Sequence, residues 1–542
     1  MRSGAHSGLS VIKQARQHNV LPAALVRGAR RHSSGPLSSN GPDAAKRALT
    51  QFGLRSSPTA RQTKGTQLAV LRRSLGAVEA FGFSLSIIAP TLAMAFTVSL
   101  TAQSAGRAAP LAYLIGGIIV TLVGLSFIAF GRRVAHAGSV YAYVGSVLGA
   151  RFGFVAGWAL LLMYVTLLAG STALVGNFGA AALGHAKIEG PHLWFVVAVL
   201  SAFSTVWITW RGMQFAARLM LVLEGASVLA ILLLAIVILT QVPLSLQPFT
   251  PEPDHGWAGI GYGIVFAVLS YAGFEGATTL GEETRNPERS IPKAVMATVI
   301  AGTLYYVLVS YAQIVGYGLD HVQTLGRASA PLDVLATRYI SGTFAGLLDL
   351  AAATSALACA IGSLSAAARM LYALARAGAA PSLAKVDVQH DTPARSIAVT
   401  GAVNLVCLFL WAARSDAMSY SGNIVTVGTL ALILVYIGVT GALAISAFRC
   451  RHPIQWLIGS LGALLLLWPL WNSLYPAPAW PGNMWPYVVA AWLALGAAIA
   501  RLRPSLTLLD VTPPNPRPAS VGELEPPKSI APSSAVNFRR TV

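Results

Sequence analysis

Two carboxylates, Glu224 and Glu275, fall inside apolar stretches that are long enough to enter a lipid bilayer. An ionised side chain near the bilayer centre costs roughly 2.5–3.5 kcal/mol or more, so a carboxylate at that depth is functional by default. Because burial disfavours the charged form, Glu275 is predicted to bind and release a proton near physiological pH, with Glu224 as a second candidate. The alternatives are a neutral, hydrogen-bonded carboxyl at Glu275 and a structural hydrogen bond from Glu224 to a neighbouring helix.

Glu275 directly follows an interruption of its apolar segment. The interruption consists of Ser270, Tyr271, Ala272, Gly273 and Phe274. Backbone groups left unpaired in lipid cost several kcal/mol each, so such a break is tolerated only where protein, water or ligand satisfies them. We therefore predict a binding site at this break. The alternative is that Gly273 only allows close packing between helices.

A second interruption is predicted in the first apolar segment, where Pro90 stands in mid-span. A proline there removes one backbone hydrogen bond and clashes with the preceding turn. Paired interruptions at corresponding positions of two halves point to an inverted-repeat transporter with its site at the membrane midplane. The two breaks stand five helices apart, an odd number, so the second half would enter the membrane in the opposite orientation. The alternative is an ordinary proline kink, which transmembrane helices tolerate.

Composition places the chain among polytopic membrane proteins. Of its 542 residues 55% are apolar and 11% are charged, against about 25% charged in an ordinary soluble domain. The formal charge is +19, but residues 1–77 hold thirteen Lys or Arg and one acid, Asp43, so +12 of it precedes the first apolar segment and +7 remains. This distribution fits a cytoplasmic N-terminus beside a lipid bilayer and does not favour nucleic-acid binding.

Apolar segments of about 20 residues recur along the chain, the length that ~30 Å of hydrocarbon requires. They predict twelve transmembrane helices at 78–104, 109–131, 152–182, 192–210, 215–241, 257–281, 294–318, 344–374, 396–413, 423–447, 454–473 and 485–502. The predicted membrane domain would span 78–502, with repeat one at 78–241, repeat two at 257–447 and two extra helices at 454–502. The third and eighth helices are long enough to tilt or to project beyond the bilayer.

Charges in the connecting loops support this topology, because Lys and Arg gather in alternate connections, as cytoplasmic loops require. Both termini are therefore predicted to be cytoplasmic. Residues 1–77 and 503–542 are interpreted as disordered tails, and for the first of them a transit peptide or a wrongly assigned start codon remains an alternative. In the predicted cytoplasmic loop after the sixth helix, Glu282 and Glu283 with Arg285 and Arg289 are candidates for a gate of salt bridges. The alternative is a solvated loop of mixed charge, in which exposed pairs contribute only ~0–1 kcal/mol.

Other chemistries find little support in the sequence. The three cysteines have no CxxC or Cys/His spacing, and the ten histidines are scattered, so no metal site, cofactor or catalytic cluster is predicted and the chain is not expected to be an enzyme. No Walker motif is evident, which argues against an ATP-driven pump.

Three stretches carry a resemblance to the amino acid-polyamine-organocation superfamily of secondary transporters, the amino acid permeases. YAGFEGATTLGEETRNPERSIPKAV is similar to the family's broken sixth helix and the loop after it, and is the most specific match. AHAGSVYAYVGSVLGARFGFVAGW and SAAARMLYALARAGAAP resemble two further family signatures. The resemblance implies an all-α membrane fold of twelve transmembrane helices, with inverted five-helix repeats and broken first and sixth helices.

The chain also departs from the family pattern. Many such permeases have a Gly-Ser-Gly-type break in the first helix, where this chain has Ile88, Ala89, Pro90 and Thr91. Some members place a lysine in the fifth helix as a stand-in for sodium, and this chain offers Glu224 and Ser227 there. The resemblance also implies a possible ion site at Thr354 and Ser355. Ordinary back-bonding of these hydroxyls within their helix is the alternative.

The resemblance implies that the substrate is an amino acid or a related amine. Unpaired N–H groups at half-helix N-termini suit a carboxylate, and unwound carbonyls suit an ammonium. We expect substrate contacts from backbone at Ile88–Thr91 and Ser270–Gly273, with Tyr271 and Phe274 as aromatic gates; ring packing is the alternative. In proton-coupled relatives the glutamate that Glu275 matches is implicated in protonation-dependent gating.

The expected function is alternating-access transport across the plasma membrane, driven by protons or by exchange. The rival hypothesis is a membrane sensor that keeps the permease fold without net transport.

Overall fold

The computed structural model describes residues 75–503, except 133–138, 191, 282, 329, 388–389, 391, 411–414 and 476–479. These residues form α-helices and short 3-10 turns, and no β-strand occurs among them. The predictions for the two tails lie almost wholly outside the described residues.

Seventeen α-helices follow one another along the described chain. They are α1 (Ala77–Ile88), α2 (Pro90–Ala105), α3 (Ala109–Gly131), α4 (Val140–Leu148), α5 (Ala150–His185), α6 (Leu193–Trp210), α7 (Met213–Gln241), α8 (Gly256–Ser270), α9 (Gly276–Thr279), α10 (Pro287–Tyr317), α11 (Val322–Arg327), α12 (Pro331–Tyr339), α13 (Gly342–Arg376), α14 (Ala394–Leu410), α15 (Ala417–Arg449), α16 (Pro453–Leu474) and α17 (Trp485–Leu502).

By length and composition, nine helical stretches of the described chain are suited to cross a membrane. The first of them, Ala77–Gly131, takes in α1, α2 and α3, while α8 and α14 are shorter apolar helices. The prediction of an all-α membrane protein is confirmed. The number of twelve transmembrane helices and the arrangement in inverted repeats stay predictions. Helix α5 has 36 residues, about 54 Å at 1.5 Å each, so it must tilt or project beyond the bilayer.

Two helices begin earlier than their apolar runs predict. Helix α10 begins at Pro287 and not at 294, because Asn286 before it turns the chain with φ 48° and a proline fits the first helical position. Helix α15 begins at Ala417 and not at 423, because the Asp416 carboxylate accepts the Ser419 N–H at 2.8 Å and caps the helix. The start of α10 is thus set by backbone conformation and the proline, and that of α15 by a side-chain cap, rather than by the apolar pattern.

The first predicted interruption separates α1 from α2. Ala89 alone breaks the helix, with φ 45° and ψ 67° in the left-handed region, and Pro90 begins α2 as its first helical residue. Pro90 has no N–H, and the N–H groups of the next two residues bond to side chains. The carbonyls of Ser86, Ile87 and Ile88 therefore lose their helical hydrogen bonds.

The second interruption lies between α8 and α9. Helix α8 ends at Ser270, and Gly273 adopts φ 109°, a conformation that residues with a Cβ rarely reach. The chain then resumes as the single-turn helix α9.

The two interruptions pack directly against each other. The Ser84 hydroxyl donates to the Phe274 carbonyl at 3.0 Å and accepts the Ala277 N–H at 2.8 Å. The Ile87 side chain lies against Gly273 and against Gly362 of α13, and each glycine leaves no room for a Cβ beside it. The breaks thus form one buried unit at the centre of the described helices.

Candidate functional site

Glu224 of α7 and Ser355 of α13 cap the N-terminus of the half-helix α2. The Thr91 N–H donates to Glu224 Oε1 at 3.0 Å, and the Leu92 N–H donates to Ser355 Oγ at 3.1 Å. Glu224 is fully buried, so its carboxylate has no contact with bulk water. It is instead stabilised by the Thr91 N–H and by the positive end of the helix dipole. The sequence predicted proton coupling for Glu224 and substrate binding for Thr91, and in the structure the two residues are hydrogen-bonded to each other.

Glu275 lies at the second break and ties it to two other helices. Tyr164 of α5 donates to Oε1 at 3.1 Å, Tyr436 of α15 donates to Oε2 at 2.8 Å, and the Gly273 N–H donates to Oε2 at 3.2 Å. All of these groups are buried. The carboxyl therefore satisfies three donors, one of which belongs to Gly273, the glycine with positive φ. The two tyrosines carry no local sequence signal that links them to Glu275.

A small cavity of about 30 Å³ lies between the two breaks. Its lining is mainly apolar and consists of Ile87, Ile88, Leu92, Ala93, Phe96, Thr97, Leu167, Ser171, Leu174, Leu269, Ser270, Ala272, Cys359 and Val425. All of these lining residues are buried. A volume of ~30 Å³ is that of one water molecule in the liquid, so the central cavity is too small for a larger molecule in the present conformation.

The hydroxyl and thiol groups of the central cavity bond to one another and to the broken backbone. Thr97 Oγ1 lies 2.7 Å from both Ser270 Oγ and the Tyr113 hydroxyl. On the other wall, Ser171 Oγ donates to Cys359 Sγ at 3.1 Å, and Cys359 Sγ donates to the Ile87 carbonyl at 3.1 Å. Among the residues that the structure describes, no Lys, Arg, Asp or Glu lines this cavity.

A larger cavity of about 600 Å³ lies toward the predicted outer face, where residues 326–328, Asp416 and residues 481–482 border it. Phe96 lines this outer cavity and the central cavity, so its ring stands between them. Phe96 is buried, and sequence reasoning missed it because nothing in an apolar helix marks one phenylalanine as a divider.

The opposite end of the site is closed by a buried ion pair. Arg369 Nε of α13 lies 2.6 Å from Glu283 Oε1, and Arg369 Nη2 donates to Glu283 Oε2 at 3.1 Å. The Leu75 N–H donates to the Glu283 carbonyl at 3.0 Å, and the Arg285 N–H donates to the Leu75 carbonyl at 2.7 Å. The chain before α1, the loop after α9 and α13 are thereby joined at one point.

The gate predicted at this end has a different cation. Glu283 takes part as predicted, but both of its oxygens bind Arg369, and no ion pair with Arg285 or Arg289 is found among the described residues. Glu282 lies outside the described residues. The sequence could not indicate Arg369, because it stands 86 positions further along the chain.

A family model for amino acid permeases matches residues 83–507 of the chain. The chain belongs to the amino acid permease family. The resemblance stated from the three sequence signatures is confirmed, and so is the expectation of a membrane transport protein.

Several characterised transporters are similar to this permease. A branched-chain amino acid permease of Bacillus subtilis is 26% identical over 349 residues, which cover 60% of this chain and 71% of the relative. The methylthioribose transporter of the same organism is 25% identical over 463 residues, or 81% of this chain and 94% of the relative. A low-affinity putrescine importer of Escherichia coli is 24% identical over 450 residues, or 80% of this chain and 95% of the relative.

The predicted substrate residues of the permease divide into two groups. Ile88, Ser270 and Ala272 line the central cavity. The others lie behind it: Ala89, Pro90, Thr91, Tyr271, Gly273 and Phe274 are absent from its lining and belong to the breaks themselves.

The two rings proposed as gates are packed core residues in this conformation. Tyr271 lies edge-on to Tyr306, with ring centroids 4.9 Å apart, and its hydroxyl donates to Thr303 Oγ1 at 3.1 Å. Phe274 lies edge-on to Phe127, with centroids 5.6 Å apart. Neither ring lines the central or the outer cavity, so the ring at the boundary is Phe96.

The two hydroxyls predicted as an ion site have separate protein partners. Thr354 Oγ1 donates to the Ala351 carbonyl at 2.9 Å, the back-bonding alternative, and lies 3.4 Å from Ser227 Oγ. Ser355 instead accepts the Leu92 N–H. Sodium binding at these two residues stays a prediction.

Proposed function

We propose that this permease moves an amino acid or a related amine across the plasma membrane by alternating access. The proposed architecture has twelve transmembrane helices, with inverted repeats at 78–241 and 257–447, two further helices at 454–502, and both termini in the cytoplasm. The observation that carries the proposal is a buried cavity between two helix breaks that is closed by different groups at its two ends. The named relatives are transporters, and nothing among them favours a sensor.

The two closures give the proposed cycle its steps. On the predicted outer side Phe96 is the described residue that lines both the outer and the central cavity, so a rotation of its ring is the proposed step that admits a substrate. On the predicted inner side the buried pair of Arg369 and Glu283 must separate before release. The present conformation is therefore closed at the centre and closer to outward opening than to inward opening.

The central cavity favours a small substrate with an apolar side chain. Its lining is apolar apart from hydroxyl and thiol groups, and none of the described residues that border it is charged. The relatives' names mention branched-chain amino acids, putrescine and methylthioribose, which agree in being small. The cavity must expand beyond its ~30 Å³ to hold any of these, because even the smallest is larger than a water molecule.

Proton coupling is the energy source that the site supports best. Glu275 and Glu224 are both fully buried, and each bonds directly to the backbone of one helix break. Adding a proton to either carboxyl changes what the break can bind, because a carboxylate accepts hydrogen bonds only, whereas a carboxylic acid also donates one. Protonation of these two carboxyls would therefore change the hydrogen bonding at both helix breaks.

The proposal is tested by uptake of a panel of labelled amino acids and amines into proteoliposomes, with and without a pH gradient. Absence of uptake and exchange for every compound, in protein shown to be folded, would sink the transport function.

In the same assay, Glu275→Gln is expected to flatten the pH dependence of uptake. Glutamine cannot titrate, and its single carbonyl oxygen must serve donors that now share two carboxylate oxygens. The ratio of initial uptake rates at acidic and neutral pH should fall toward one, because one of the two proposed titrating carboxyls is gone and only Glu224 remains. Glu79→Gln is the matched control, since Glu79 accepts a backbone N–H from Gly76 at 2.9 Å at the start of α1, away from the break residues. An unchanged pH profile in Glu275→Gln would remove Glu275 as a coupling group.

A further inference from the structure

The first turn of α2 has no free backbone donor. Pro90 has no N–H, the Thr91 N–H is taken by Glu224, the Leu92 N–H is taken by Ser355, and the Ala93 N–H donates to the Ala89 carbonyl at 2.8 Å. The N-terminus of a helix attracts anions through these N–H groups and the helix dipole. In this permease a side-chain carboxylate already occupies that position.

Glu224 is held there with unused hydrogen-bonding capacity. Its second oxygen, Oε2, is buried and has no hydrogen-bond partner among the described residues. The Thr91 and Tyr305 hydroxyls are also buried, and neither makes a hydrogen bond of good geometry within the described residues. The hydroxyls of Thr91 and Ser355 lie close enough to act on Glu224, and Tyr305 senses its charge, so a protonated Glu224 would have hydroxyl oxygens to donate to in the same buried region.

The groups that face Glu224 supply hydrogen bonds but no positive charge: besides the Thr91 N–H, the hydroxyls of Thr91 and Ser355 act on it. Tyr305 and Tyr306 from α10 and Cys359 from α13 are the titratable side chains that sense its charge. From α2 it meets only Thr91, and no Lys, Arg or His acts on it in the described chain. All three titratable neighbours are neutral near physiological pH. A second carboxylate brought to α2 would thus meet the full charge of Glu224.

We propose that a substrate carboxylate and Glu224 compete for the N-terminus of α2, so that each carboxylate-bearing substrate binds together with one proton on Glu224. Repulsion raises the free energy of two ionised carboxylates at one site, so one of them takes up a proton. The substrate carboxylate then accepts the Thr91 N–H, and the neutral Glu224 carboxyl donates its proton to one of the neighbouring hydroxyl oxygens. This inference rests on the proposed transport function and gives Glu224 a specific role within it.

The same competition predicts a different result for substrates without a carboxylate. An amine has no group that claims the Thr91 N–H, and its ammonium is attracted to ionised Glu224. Its binding therefore takes up no proton at this residue. Whether transport is linked to protons would then depend on the carboxylate of the substrate rather than on the carrier alone.

The test compares a matched pair of ligands on the purified full-length permease. The pair is the amino acid from the uptake panel that binds best and the amine that lacks only its carboxyl group. Proton uptake on binding is measured with a pH indicator in weakly buffered solution, and dissociation constants are measured over a range of pH. We expect about one proton per amino acid bound and a dissociation constant that rises about tenfold per pH unit where Glu224 is ionised. For the amine we expect neither effect.

Glu224→Gln should bind the amino acid with no proton uptake and no pH slope, while Glu79→Gln should behave as the wild type. The proposal is overturned if Glu224→Gln keeps the proton uptake, if the amine takes up as many protons as the amino acid, or if only amines bind. Should Glu224→Gln fail to fold, the two ligands on the wild-type protein still decide. If no compound of the panel binds or is transported, the proposed transport function is contradicted. If an amino acid is transported but its binding takes up no proton, only the proposed competition at Glu224 is contradicted.

Discussion

Gly273→Ala is expected to abolish transport and to lower the thermal stability of the purified permease. Gly273 has φ 109°, where a residue with a Cβ is strained by about 1–2 kcal/mol. The added Cβ would also overlap the Ile87 side chain, lying 2.6 Å from Ile87 Cβ and 3.1 Å from the Ile87 carbonyl carbon. Forcing atoms into a packed core adds about 1–3 kcal/mol. Both effects act where the two helix breaks meet, so they should displace the site as well as destabilise the fold.

Two further alanine variants grade this result. Gly276→Ala should be milder, because the one close contact of its Cβ would be with the far end of the Ile87 side chain, Cδ1, at 2.5 Å, the Phe83 ring lies at an ordinary 3.5 Å, and its backbone is helical. Gly438→Ala on α15 is the control, since nothing lies within 4 Å of its Cβ position. Uptake rates and melting temperatures should be lowest in Gly273→Ala, intermediate in Gly276→Ala and closest to wild type in Gly438→Ala. Wild-type transport by Gly273→Ala would show that the break tolerates a different backbone conformation.

The positions of the breaks were predictable from the sequence because each depends on local chemistry. A proline inside an apolar span and a glycine beside a buried carboxylate both interrupt a helix through their own backbones. The structure confirms an interruption at each place, although the first break is centred on Ala89, one residue before Pro90. Local rules do not fix which of two adjacent residues takes up the left-handed conformation.

The partners of the site residues were not predictable, because they come from distant segments. Thr91 and Glu224 stand 133 positions apart, and Glu275 stands 111 positions from Tyr164 and 161 from Tyr436. Each of these contacts depends on how the helices pack, which hydrophobic periodicity does not encode. Sequence reasoning therefore found the carboxylates but not the donors that hold them. For the same reason it chose a nearby arginine for Glu283 and missed Arg369.

The last large effect concerns the buried ion pair of Arg369 and Glu283. Arg369→Ala is expected to shift the permease toward an inward-open state. The side chains of Arg369 and Glu283 are only 3% and 8% exposed, so removing the arginine leaves a buried carboxylate without its cation. Breaking such a pair costs about 3–5 kcal/mol, and opening the inner side to water removes that cost by hydrating Glu283. The closed state therefore loses stability relative to the open state.

Cys359 provides a natural reporter of this opening, because its buried thiol lines the central cavity. With Cys407 and Cys450 replaced by serine, a water-soluble maleimide applied from the inner face should label Cys359 at least about tenfold faster in Arg369→Ala, the response to a shift of ~1.4 kcal/mol. Arg395→Ala is the control, because Arg395 is also on the predicted inner face but its bond to the Ser382 carbonyl is exposed. The exchange Glu283→Arg with Arg369→Glu should return labelling part of the way, since it restores a pair of opposite charges. Equal labelling in Arg369→Ala and the wild type would mean that the inner side is held shut by packing around Leu75 and not by the ion pair.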